Sequence, residues 1–498
     1  MSVFGWNLVY GGGTPPPGEV VRPGERLSWG RTVGLGAQHV VAMFGATFVF
    51  PVIMGLNPNL AILMSGVATI LFLLIVGGRV PSYLGTSASF VAGVAAIRAQ
   101  GGDSRAVTGS ILVAGLVLIA VGALVHVAGG EIVQKVLPPA VTGAVVMLIG
   151  FNLAPVVAGV YWPQDEWIGV LTMAFVICAA VLFRGFLSRI AIFLGLVFGY
   201  LMSWLFDHVL GRIHSVPAGG TTATDHYRID WAGVKAADWI GFPHKSTFTP
   251  DGKDQIIGWH TPTFSATFIL LILPSVIALI AENAGHVKAV GEMTGENLDP
   301  YLGRAFIGDG IGTALASAVG GSPTTTYAEN IGVMAATRVY STAAYWVAAL
   351  VAVLLGFCPK FGAAVSATPG GVLGGITVVL YGMIGLLGAK IWVENKVDFA
   401  NPINLVPLAA GLIAGIGGVS LTFTKNFSIS GIALGTIIAI VFYHFVHWLA
   451  PRHLKIEPQA GDRGYAGGTM LSTGEIETPD GTMSPFHDEL STDRAQSW

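Results

Sequence analysis

From residue 31 to residue 450 the chain is a succession of apolar stretches separated by short polar joints. A helix needs about 20 mostly apolar residues to cross a bilayer, because hydrocarbon offers its backbone no outside hydrogen-bond partner. Stretches of this kind lie at 31–54, 59–77, 82–97, 107–129, 136–159, 167–184, 187–209, 264–287, 303–319, 324–339, 340–357, 372–388, 403–420 and 428–450. Two of the fourteen, 82–97 and 324–339, are short and interrupted. Only 11% of the 498 residues are charged, against about a quarter in a soluble domain. So little charge cannot cover a water-facing surface of this size. The expected class is an all-α polytopic membrane protein, and the 68 glycines suit closely packed membrane helices.

Between and beyond the stretches lie a polar insert at 210–263, a polar tail at 451–498 and a Gly- and Pro-rich segment at 1–30. The last reads as a disordered cytoplasmic tail, since it lacks the charged and apolar regions of a signal peptide. The net charge of −3 gives no reason to expect nucleic acid, and Cys178 and Cys358, in or beside apolar runs, predict no disulfide framework.

Lysine and arginine orient the chain. With the N-terminus inside, fourteen flank the predicted cytoplasmic ends, and the short external loops hold four: Arg98, Arg105, Lys360 and Lys425. The positive-inside rule then puts both termini in the cytoplasm. The chain also repeats itself. PPAVTGAVVMLIG at 138–150 aligns with PGGVLGGITVVLY at 369–381 (offset 231), and VPSYLGTSASFVAGVAA at 80–96 resembles GGSPTTTYAENIGVMAA at 320–336. These are the fifth and twelfth stretches, and the third and tenth. Two seven-span halves follow, and because seven is odd the second half enters the membrane inverted. Inverted repeats with broken helices in matching places are a secondary-transporter pattern, with the site near the midplane.

Ionisable residues within spans are expensive and mark function. Glu282 (in AENAGHVK) lies near the predicted cytoplasmic end of the eighth stretch, with His286 four residues on and on the same helix face. Glu329 (in AENIGVMAATR) lies inside the interrupted tenth stretch, and Gln38-His39 opens the first. Repeat symmetry pairs the first stretch with the eighth, so Gln38-His39 is expected to face Glu282. The plainer readings are that Glu282 snorkels to the headgroups and that His39 is a packing hydrogen-bonder. His126 and Asp309 receive no role, and Asp207 and His208 are expected at the interface. The broken third and tenth stretches, around Ser82–Ser87 and Ser322–Tyr327, present free backbone N–H groups at membrane depth. Carboxylates that accept and N–H groups that donate suit a planar molecule with ring N–H beside C=O, as in a nucleobase. An anion would want a basic residue, and none lies mid-span in the third, eighth or tenth stretch. No His-Glu-x-x-His, no Gly-x-Ser-x-Gly at a span and no Cys-His pair suggests an enzyme, and a passive channel has no need of two buried acids.

The run ENIGVMAATR resembles the signature of the nucleobase–ascorbate transporter (nucleobase:cation symporter-2) family, [Gln/Glu/Pro]-Asn-x-Gly-x4-Thr-[Arg/Lys/Gly]. Glu329, Asn330, Gly332, Thr337 and Arg338 fill its fixed positions. Gln38-His39 resembles the family's first-span motif and AENAGH its eighth-span motif, and the resemblance runs from about residue 26 to 450. Within the family it points to the bacterial uracil and pyrimidine permeases, nearest to those of uracil degradation. The resemblance implies fourteen spans in two inverted seven-span repeats, with short antiparallel strands in the third and tenth. It implies a core domain (31–129 and 264–357) and a gate domain (136–209 and 372–450). It implies that Glu282 and Glu329 bind the base, that Ala88 and Ala328 donate backbone N–H groups, and that Tyr381 adds a gate-side contact. His286, Tyr327, Gln38, His39, Asn330 and Thr337 are implied in proton coupling or site support. It further implies proton symport, a homodimer, the bacterial inner membrane, and no cofactor or metal. At Ala88 the chain departs from the pattern, since uracil-type members carry a Phe that packs on the base. A larger, purine-accepting pocket therefore stays open, and an anion exchanger of the sulfate-carrier fold is a more distant alternative.

Overall fold

The computed structural model describes residues 5–451 except 17, 185, 218–221, 244–256 and 425–426, together with short segments at 469–470, 475–477 and 483–485. Lys425, parts of the 210–263 insert and most of the 451–498 tail therefore lie outside the described residues.

Long apolar helices dominate. They are α1 (Trp29–Ile53), α2 (Pro58–Ile75), α3 (Val91–Ala99), α4 (Ser104–Ala128), α5 (Pro139–Phe151), α6 (Glu166–Leu182) and α7 (Ala191–Val209) in the first half. The second half holds α8 (Pro274–Thr294), α9 (Leu302–Ala318), α10 (Ala328–Thr337), α11 (Thr342–Gly356), α12 (Gly370–Glu394), α13 (Pro402–Ile416) and α14 (Gly431–Leu449). Among the described residues, eight helical runs are by themselves long and apolar enough to cross a membrane, one of them the continuous Ala266–Thr294. Their starts follow local chemistry. Pro58 sits in the first turn of α2 behind the cap Asn57, whose side chain accepts from the Leu60 N–H at 3.0 Å. Asp165 caps α6 in the same way through the Ile168 N–H, at 3.1 Å.

The two interrupted stretches hold short strands before their helices. β1 (Leu84–Thr86) and β2 (Thr324–Thr326) pair antiparallel, Leu84 opposite Thr326 and Thr86 opposite Thr324. Each strand is pinned by a threonine of a neighbouring helix. The Leu84 N–H donates to Thr69 Oγ1 of α2 at 2.9 Å, and the Thr324 N–H donates to Thr313 Oγ1 of α9 at 3.1 Å. Buried backbone at this depth needs such partners.

The helices pack in two groups. Helix α9 contacts α4 and α2, and α2 contacts α11, with α1 on α11 and α8 on α4; α5 packs on α12, α6 on α7 and α12, and α13 on α14 and α5. Glycines set the closest approaches. A Cβ on Gly122 of α4 would lie 2.9 Å from the Gly303 carbonyl of α9, and one on Gly150 of α5 would lie 2.2 Å from the Gly385 nitrogen of α12.

Three sequence expectations are corrected. The first concerns the N-terminal segment, which is docked at residues 6–8 and 21–27. Asn7–Leu8 pairs in parallel with Glu25–Arg26, Val21 bridges to Val339, and Trp6 Nε1 donates to Thr342 Oγ1 at 2.8 Å. Composition signalled disorder, but Val21 and Leu27 bury themselves against Val339. The second concerns Asp207, which is drawn inward: Arg228 of the insert reaches Asp165 Oδ2 at 2.6 Å and Asp207 Oδ1 at 3.2 Å, and all three side chains are buried. The third concerns Glu282, which does not lie near a helix end. Helix α8 runs twelve residues beyond it and stops where Gly295 turns left-handed, at φ 68°. The polar run after Glu282 ends the hydropathy signal but not the helix.

Candidate functional site

The strand pair brings the singled-out residues together. Glu282 is half-buried in mid-α8, and Glu329 is half-buried in the first turn of α10. Helix α8 packs against both α9, which carries Asp309, and α10, which carries Glu329. Ser89, in the single turn Ala88–Phe90 before α3, donates to Glu282 Oε2 at 3.3 Å. One half-helix thus begins beside each acid, or carries it: Ala88 opens the turn next to Glu282, and Ala328 opens α10 one residue before Glu329. First-turn N–H groups have no acceptor within their own helix, so both places can donate to a ligand.

Behind Glu282 runs a buried hydrogen-bond chain whose direction can be assigned. Thr326 Oγ1 gives its one proton to Asn283 Oδ1, so the 2.8 Å contact between Thr326 Oγ1 and His286 Nδ1 must be donated by the ring. Asn283 Nδ2 then donates to Asp309 Oδ2, and Thr324 Oγ1 donates to Asp309 Oδ1 at 3.4 Å. His286 therefore carries its proton on Nδ1 and points, through Thr326 and Asn283, toward the Asp309 carboxylate. Sequence reading gave Asp309 no role. The signal was present, since Asp309 is an acid flanked by glycines in the apolar helix α9, but its partner Asn283 comes from another helix and cannot be found by spacing.

His39 does not face Glu282. It is fully buried, stacks on Tyr345 of α11 with centroids 4.4 Å apart, and meets Asn330. Asn330 Nδ2 donates to both the His39 carbonyl and His39 Nδ1, each at 3.1 Å. Nδ1 is thus an acceptor, so a neutral His39 carries its proton on Nε2. The pair ties α1 to α10. Gln38 is half-buried beside it. Thr337 turns back on its own helix, donating to the Val333 carbonyl at 2.9 Å. Tyr327 binds across the strands: Oη donates to the Thr86 carbonyl at 2.7 Å and accepts from Thr47 Oγ1 of α1 at 3.1 Å. Tyr381 of α12 is buried, lies parallel to Phe50 of α1, and its Oη has no hydrogen-bond partner among the described residues. Among the described residues no group of three or more His, Cys, Asp or Glu could hold a metal ion.

Long apolar helices around a buried strand pair, with one acid in mid-helix and one at a half-helix start, suit a membrane permease. The sequence profile of the Permease family (Xan_ur_permease) matches residues 30–424, and the chain belongs to that family. It is 43% identical over 453 residues to the pyrimidine permease RutG of Escherichia coli strain K12, covering 89% of this chain and 95% of that one. It is 35% identical over 429 residues to the uracil permease of Bacillus caldolyticus, covering 84% and 92%. The fold is shared with the transmembrane domain of the cyanobacterial bicarbonate transporter BicA (TM-score 0.54, 15% identity, 83% of this chain and 96% of that one). It is also shared with the murine anion transporter Slc26a9 (TM-score 0.61, 10% identity, 84% and 68%). The family's members are permeases and not enzymes.

Proposed function

We propose that this permease imports uracil, or a closely related pyrimidine base, together with protons. The observation that carries the reading is the contact of α8, which carries Glu282, with α10, which carries Glu329, beside two helix starts whose first N–H groups can donate. Such a set accepts from the ring N–H groups of a base and donates to its carbonyls. The names of the relatives above point to the same substrate class.

In this reading a proton on one of the acids, Glu282 with His286 beside it, removes one of two neighbouring charges before the base enters. Residues 31–129 with 264–357 form a core domain that carries the strand pair, and 136–209 with 372–450 form a gate domain. The core shifts against the gate and exposes the site to each side in turn. Fourteen spans in two inverted seven-span repeats, both termini in the cytoplasm, the bacterial inner membrane and a homodimer through the gate domains complete the proposal. The helix contacts support the repeat, because they come in pairs related by seven: α4 with α9 and α2 with α11, α6 with α12 and α5 with α13, α1 with α7 and α8 with α14.

Uptake of radiolabelled uracil into a permease-deficient strain tests this. Glu329→Gln should reduce uptake by at least tenfold, since a hydrogen bond to a charged group contributes about 1.5–3 kcal/mol, and Glu282→Gln, which cannot take up the proton, should reduce it as well. A protonophore should abolish accumulation, and sodium should not replace the proton gradient. Wild-type uptake in both variants would remove the site assignment. A second reading rests on Ala88. A methyl group there leaves more room than a ring and admits a purine such as xanthine, so competition by unlabelled bases decides between the two.

A further inference from the structure

One face of α1 runs along the whole site. His39 meets Asn330, Thr47 meets Tyr327, and Phe50 follows Thr47 by three residues, within one turn and toward the same side. Thr47 also touches the first strand, since its carbonyl accepts from Thr86 Oγ1 at 3.4 Å. Phe50 is therefore a neighbour of the strand pair. Its ring is 2% exposed and lies parallel to that of Tyr381, 6.4 Å between centroids and 9° between planes. At the loose end of the 4.5–7 Å range in which rings interact, this pair loses little if another flat ring replaces one partner.

A base presents two faces as well as an edge. The two acids and the half-helix N–H groups serve the edge, and none of them supplies a surface for the faces. Ala88, at the start of the turn beside Glu282, offers only a methyl group. Two other aromatic rings near the strands are tied down by hydrogen bonds. Tyr327 spans Thr47 and Thr86, and Tyr83 is bound to Ser65 at 2.7 Å.

Resting on the reading of base import above, we propose that Phe50 is a specificity-determining residue that supplies the aromatic face for the substrate ring, in place of the ring Ala88 lacks. Tyr381 closes on it from α12. A ring contributed by α1 does not fill the place of a side chain at position 88. It leaves the Ala88 side open to a ring substituent or a second ring.

The test is KM and Vmax for uracil uptake, normalised to protein in the membrane, for Phe50→Val, Phe50→Leu, Phe50→Tyr, Ala88→Phe and the double variant Phe50→Val/Ala88→Phe. Phe50→Val and Phe50→Leu should raise KM about tenfold with Vmax little changed, the effect of one lost ring contact. Phe50→Tyr should stay near wild type, and adding Ala88→Phe should bring the Phe50→Val KM back. Leucine keeps the volume, so it reports the ring even where valine fails to fold. KM within twofold of wild type in Phe50→Leu, with wild type active, overturns the role of Phe50 and leaves base import standing. Wild type inactive on every base tested overturns the import reading, and this proposal with it.

Discussion

His286, Thr326, Asn283 and Asp309 form a line in which each donor is assigned by elimination, so the line breaks at a predictable place. Thr326→Val keeps the shape and removes the hydroxyl. It leaves a ring N–H and an amide carbonyl unpaired in a buried place, each costing about 1–3 kcal/mol. The purified protein should melt at a lower temperature, and Thr326→Ser should melt like wild type. If valine melts with wild type, the line is not a stabilising element. Glu282 and Glu329 were legible in the sequence because a carboxylate in an apolar stretch is rarely there for packing. The direction of the line was not legible. It depends on which hydroxyl proton is already committed, and two helices and a strand have to meet before that can be read. His39 shows the same limit from the other side: repeat symmetry placed it opposite Glu282, but the amide of Asn330 offers two hydrogen bonds at once and holds it on α10.

At the scale of elements, the strand pair is what makes two half-helices into one site, and Gly85 is its narrowest point. A Cβ on Gly85 would lie 2.5 Å from Thr47 Oγ1 and 2.5 Å from the Tyr327 ring. Neither neighbour can withdraw without losing a hydrogen bond, because Thr47 and Tyr327 bond to each other and Tyr327 holds Thr86. Gly85→Val should therefore abolish uptake in protein that still reaches the membrane, as measured by uptake beside a surface-label assay; near-normal uptake would show that the strands tolerate separation. The N-terminal segment gives a second element-scale outcome. Val21 is fully buried against Val339, so Val21→Asp places a charge in an apolar contact. Trypsin should cut at Arg26 slowly in wild type and quickly in Val21→Asp. Equal rates would mean that the segment is not held. Broken helices were legible from the Pro, Ser, Thr and Gly clusters at 80–87 and 320–327, because such residues interrupt helices whatever surrounds them. The docked N-terminus was not, since its hydrogen-bond partners at 338–342 are more than 300 residues away in the chain.

At the scale of the whole molecule, the two packing groups meet along an apolar seam. Val49 of α1 clusters with Tyr161 and with Leu373 of α12, and α8 touches α5 and α14. If transport moves one group against the other, this seam must slide on every cycle. A covalent link across it should then stop uptake without disturbing either group. The native thiols Cys178 and Cys358 are free and must first be removed. In a Cys178→Ser/Cys358→Ser background, Val49→Cys with Leu373→Cys, joined by a short thiol crosslinker, should lose uracil uptake. A reducible crosslinker should allow uptake to return on reduction, and each single cysteine should behave like the background under the same treatment. The glycine-lined seams within a group predict the opposite. Gly122 and Gly303 already bring α4 and α9 to backbone contact, so these helices have no room to slide, and a link between them should leave uptake intact. Sequence gave the ground for this contrast only in part. Glycine frequency announced close helices, whereas which seams are locked and which are free follows from where opposing glycines meet. A linked α1–α12 pair that still transports at the background rate would mean that the site opens by some motion other than the sliding of these two groups.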